Sequence, residues 1–187
     1  MGSWGTSPEG VDNKPKYLND AEKRDAYATN AGWTVPAGGN GNPAADREVL
    51  VTIGDLSSAT GLNIADISSI NWDITAFDKS EGATLSVTVN YNELVAVTGT
   101  PKLVVTNDSR ANHDLTYASG TGTNRLTFTL AIAADDAATS AGDVLSIGEI
   151  AIAQVGGSTI AGSDGAAATI TNVAGIGTAA GTITVVA

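Results

Sequence analysis

The residues with reactive side chains are few and poorly spaced for catalysis. The chain holds one histidine and no cysteine among 187 residues, which removes thiolate nucleophiles, disulfides and Cys-ligated metals at once. His113 stands in Asn107-Asp-Ser-Arg-Ala-Asn-His113-Asp114, a polar stretch between candidate strands. It can hold no metal unless carboxylates join it, and the expectation is a solvated loop histidine. Asp135, Asp136, Asp143 and Asp164 could gather oxygens for Ca²⁺, which takes about six or more. They are sparse and lack EF-hand spacing, so surface carboxylates are expected instead. Gly120-Thr-Gly122-Thr-Asn-Arg125 has the glycines of a phosphate loop. A nucleotide fingerprint must open a helix, however, and this string joins strand to strand, which predicts a hairpin turn. Neither a Gly-x-Ser-x-Gly elbow nor a His-Glu-x-x-His pair occurs. The expectation is a protein that is not an enzyme, with no catalytic residues, no cofactor and no metal.

The elements that would position these residues are strands. Ala83, Leu85, Val87, Val89 and Tyr91 alternate with Thr84, Ser86, Thr88 and Asn90, the period-2 pattern of a strand with one buried and one wet face. Similar runs occur at 70–74, 125–130, 168–171 and 182–186, with shorter ones at 102–106 and 115–117. The run 144–152 carries Gly148 in mid-pattern, which predicts a bulge or bend, read here as a switch between sheets. Turn chemistry at 98–101, 107–109, 119–122, 156–158 and 163–165 separates the runs. This spacing predicts an all-β chain folded as a two-sheet antiparallel sandwich. The last strand is expected to pair within its own sheet, although it could complete a neighbour's.

The first 47 residues differ in kind and predict an extended N-terminal arm, with the sandwich domain over 48–187. The arm holds four of the five prolines and four of the nine aromatics, Trp4, Tyr17, Tyr27 and Trp33. A short helix at about 20–30 is predicted there: Asn19 can cap, Glu22 can answer it, and Asn30 and Gly32 stop it. So short a helix needs a surface to pack on. The four aromatics can tuck into the chain's own sandwich or serve as anchors on another subunit, with the second reading favoured.

A formal charge of −11 repels phosphate backbones and anionic lipid heads, so neither nucleic acid nor membrane is an expected partner. The N-terminus shows no basic and apolar leader and no run approaches the ~18 apolar residues of a membrane span. The chain is therefore expected to be neither exported by the general route nor anchored.

Residues 85–106, from Leu85-Ser-Val-Thr-Val through Val97-Thr-Gly-Thr-Pro101 to Val104-Val-Thr106, resemble the Ig-like repeats of bacterial surface proteins and adhesins. The resemblance continues through 115–129, 133–136, 142–147, 156–160 and 164–170, and it implies an Ig-like β-sandwich. The N-terminal segment carries Trp4-Gly-Thr6, Asn13-Lys-Pro-Lys-Tyr-Leu18, Asp20-Ala-Glu-Lys-Arg-Asp25, Ala28-Thr-Asn-Ala-Gly-Trp33 and Arg47-Glu-Val-Leu-Val51. It is similar to the N-terminal segment of virion structural proteins in tailed phages, above all T4-like phages of marine cyanobacteria. That similarity implies a virion protein assembled in the host cytoplasm, most simply a capsid decoration or cement protein gripping the head lattice through its arm. Its implied partners are other virion proteins, the major capsid protein first, and sister copies. A neck, tail or fibre-associated protein is the alternative within that class. A carbohydrate- or cell-surface-binding Ig-like module is the alternative outside it, with Phe77 as the aromatic expected to be exposed.

Overall fold

A computed structural model describes residues 14–35, 48–54, 56, 65–148, 152–162, 165–172 and 175–187. The strongest alternation becomes the longest strand. β6 (Ala83–Thr98) follows β4 (Ile67–Trp72) and β5 (Phe77–Asp78), and precedes β7 (Lys102–Asn107), β8 (His113–Ser119) and β9 (Thr123–Ile132). β10 (Val144–Ser146), β11 (Thr159–Gly162) and β12 (Thr182–Val186) complete the set, with one helical turn, α2 (Ile176–Ala179), before the last strand. The alternation at 168–171 forms no ladder: the Ala168 and Thr169 N–H groups donate to Ile160 O and Ala65 O, at 3.0 and 2.8 Å.

The all-β expectation holds. The ladder is one nine-stranded sheet in the order β11-β6-β9-β8-β7-β10-β12-β5, with β4 also paired to β6. It curls until β5 lies near β6, so its inner face encloses its own core. β6 shows why two strands can share one partner. Its first half pairs with β4 through Tyr91 and its second half, Val95–Thr98, pairs with β11. Between them the register with β9 shifts, at the stretch where Asn92 and Glu93 are buried. Leu85, Val87, Val89 and Tyr91 meet Leu103, Leu115, Leu126, Phe128, Leu145 and Ile183 in one cluster. β12 pairs antiparallel with β10 and parallel with β5, which is the own-sheet pairing expected of it.

Phe77, expected exposed, is fully buried. β5 is two residues long and lies parallel to β12, with Phe77 opposite Val185, so the ring enters the main cluster. Trp72 is half-buried, and its indole N–H donates to Gly181 O at 3.3 Å.

The first part of the chain is a second, smaller sheet. α1 (Asp20–Asp25) begins as expected, with the Glu22 N–H donating to Asn19 Oδ1 (3.0 Å) and the Asn19 N–H to Glu22 Oε2 (2.7 Å), a complete capping box. It ends earlier than expected, because Tyr27–Thr29 forms β1 and pairs with β2 (Gly32–Val35). A helix this short gains little from propagation, and strand pairing outweighs it. Gly32, read as a helix stop, has φ +127 and no room for a Cβ beside the Val51 carbonyl. That close approach admits β3 (Glu48–Thr52), which pairs with β2 and not with the large sheet. The boundary expected between 47 and 48 therefore falls inside the small sheet.

Candidate functional site

Of the four arm aromatics, Trp4 lies outside the described residues. The other three are placed differently from one another. Trp33, 1% exposed, clusters with Ala28 and Leu56 against Val51 and Ile53. Tyr27, 2% exposed, opens β1, the strand that lies against β6. Both rings are buried within this chain, Trp33 in a small apolar cluster and Tyr27 where the small sheet meets β6. Tyr17 is 65% exposed and its hydroxyl donates to Leu50 O at 3.3 Å. Val49, on the same strand as Leu50, is exposed as well. Among the described residues four large apolar side chains are exposed, and two of them, Tyr17 and Val49, belong to this unit.

Lys14 stiffens the same unit. Its Nζ donates to Lys23 O at 2.6 Å, a carbonyl of the last helical turn, where a cation also complements the helix dipole. The side chain is 1% exposed, and burial pushes its ammonium down to about 8.

Where the small unit meets the large sheet lies a cavity of about 430 Å³. One wall is Asp25, at the end of α1; the other is the wet face of the sheet, with Asn71, Asp73, Thr88, Asn90 and Arg125. Asp25 and Arg125 form an ion pair across it. The Ser86 and Thr88 hydroxyls donate to Asp73 Oδ2 at 2.7 and 3.0 Å, and Asn90 Nδ2 donates to Ser69 Oγ at 3.0 Å. These polar groups are the even-numbered positions of β6 and their neighbours, the face that alternation leaves out of the core.

A second polar cluster was not legible as such in the sequence. His113, expected solvated, is 4% exposed at the start of β8. Asp143 gathers around it, accepting from Ser109 Oγ (2.6 Å), Asn107 Nδ2 (2.9 Å) and the Ser140 N–H (2.9 Å), with Arg110 Nε at 3.5 Å. The Ser109 hydroxyl, with the other donors, holds the Asp143 carboxyl below its usual range. Asn107 Oδ1 accepts the Ser109 and Arg110 N–H groups, at 3.1 Å each, so its amide orientation is fixed. Nδ2 therefore faces His113 Nε2, 3.4 Å away, and the ring must accept there and carry its proton on Nδ1. Burial lowers the His113 pKa, with Asp143 and Asp136 pulling the other way. Ser109 donates to the carboxylate rather than to the imidazole, so a serine–histidine relay is not assembled. The cluster ties the β7–β8 loop to the segment before β10.

The remaining sequence candidates stay apart. Gly120–Arg125 is the β8–β9 hairpin, closed by Thr123 N–H donating to Gly120 O at 3.0 Å. Asp135 pairs with Lys79 at 3.6 Å and Asp136 accepts the Ala138 N–H, while Asp164 lies outside the described residues. Among the described residues no three acidic or histidine side chains are grouped to hold a metal, and no helix is long and apolar enough to cross a membrane. In comparisons with known proteins, no family model matches this chain and no curated protein matches it.

Proposed function

We propose that the chain is a non-enzymatic structural protein of a phage virion, a capsid decoration or cement protein that displays an Ig-like sandwich and grips the lattice through its N-terminal unit. The observation that carries this reading is the small helix-and-sheet unit formed by the described residues of 14–56, within the segment that resembles virion proteins, with Tyr17 and Val49 both exposed on it. An exposed aromatic and an exposed aliphatic side chain on one small folded unit are the kind of anchors that interfaces use. Trp33 holds the unit in shape, Tyr27 is buried where the unit meets β6, and Tyr17 takes the partner-facing role. The charge of −11 keeps displayed domains apart from one another and in solution.

The test is co-sedimentation of the purified chain with T4-like cyanophage particles stripped of it. The intact chain binds, and Tyr17→Ser with Val49→Ser weakens binding at least tenfold while melting at the same temperature. Binding retained by the double variant removes the anchor assignment. Failure of the intact chain to bind heads or tails removes the virion reading itself.

A further inference from the structure

The apolar clusters divide the molecule without sharing a residue. The large cluster draws only on residues from Ala65 onward. The two small ones draw only on Leu18, Ala26 and Val35, with Leu50, and on Ala28, Trp33 and Leu56, with Val51 and Ile53. Tyr27 is buried but belongs to none of them. β1 is laid on β6 over the wet face of the sheet, where Thr88 stands opposite Thr127 and Asn90 opposite Arg125. A continuous domain core is dry and filled to crystal-like density. This seam instead holds hydroxyls, amides, an ion pair and the cavity of about 430 Å³.

We infer that the N-terminal unit is a docked module that swings off the large curled sheet, with the Asp25–Arg125 pair as its latch. Each side keeps its own core when the seam opens, so opening exposes one tyrosine and a face already built of polar side chains. Interfaces of that composition separate and re-form, whereas a shared apolar core does not. Asp25 is half-buried and Arg125 half-exposed, so the latch is open to screening by salt. The swing gives the unit a range of orientations relative to the large sheet, which a rigid body lacks. This inference stands on the seam alone and is independent of any virion role.

Because the native chain has no cysteine, Lys16→Cys and Ala118→Cys place one spin label on each side, both at exposed positions. Double electron–electron resonance then reads the distance between the small unit and the large sheet. A dominant short distance with a minor longer population is expected in dilute buffer. Arg125→Glu, which turns attraction into repulsion, raises the longer population about threefold to tenfold, and 1 M NaCl raises it in the unsubstituted labelled chain. Adding Asp25→Arg to Arg125→Glu restores the original distribution. A single distance unmoved by both the charge reversal and the salt overturns the inference, and a double variant that fails to restore overturns the latch. Should Arg125→Glu not fold, the salt series decides the matter without it.

Discussion

Trp33→Ala tests whether the small unit has a stability of its own. Trp33 is 1% exposed and is the largest side chain in a cluster of Ala28 and Leu56, bordered by Val51 and Ile53. Truncating a buried Trp costs about 3–5 kcal/mol, and a cluster this small, able to collapse, places the cost near ~3 kcal/mol. At ~1.4 kcal/mol per factor of ten, that is roughly a hundredfold change in the opening equilibrium. Native-state hydrogen exchange reads the effect amide by amide. Protection at Ala28, Thr34 and Val51, all in the small sheet, falls about a hundredfold. Protection at Val87 and Phe128, paired across β6 and β9, stays as it was. Equal loss at both sets would mean that the molecule opens as one cooperative body, and the division drawn from the separate clusters would be wrong. Unchanged protection at Thr34 would mean that the Trp33 cluster does not hold the small sheet.

Three other outcomes follow from particular contacts. Phe77→Ala removes a fully buried ring from the main cluster and lowers stability by about 3–5 kcal/mol, read as a shifted denaturant midpoint; a surface-like effect under ~0.5 kcal/mol would contradict its burial. Gly120→Ala puts a side chain at φ +115, with its Cβ overlapping the Arg125 carbonyl, and is expected to cost more than the ~1 kcal/mol usual when Ala is forced to positive φ; a neutral midpoint would refute the turn geometry. The folded-state pKa of His113 is lowered from 6.5, so the unfolded chain takes up the proton first and stability is lost as pH falls below about 6.5. Urea midpoints from pH 7.5 to 5 should decline in the native chain and flatten in His113→Asn; parallel curves would show that His113 is not the titrating group.

What could be read from the sequence, and what could not, follows from how far apart the partners lie. The β6 alternation is its own evidence, since its buried residues are two apart, and the Asn19–Glu22 box spans three positions; both were legible. The small sheet was not, because β1 has three residues and β2 four, too few for a period to emerge. Gly32 shows the cost of local reading: beside a helix it looks like a stop, and only β3 reveals why no side chain fits. Phe77 was misplaced for the same reason, its burial depending on β12 more than a hundred positions later. His113 is the sharpest case. Asn107 bonds Ser109 two positions on, a turn any reader could expect, but it is Asp143, 36 positions from Asn107, that converts a polar loop into a buried network. The seam between the units belongs with these, since Asp25 and Arg125 are each ordinary surface charges until the fold brings them together. An interaction between distant, individually unremarkable residues is therefore where this molecule keeps the behaviour its sequence does not announce, and the latch is the place to perturb it.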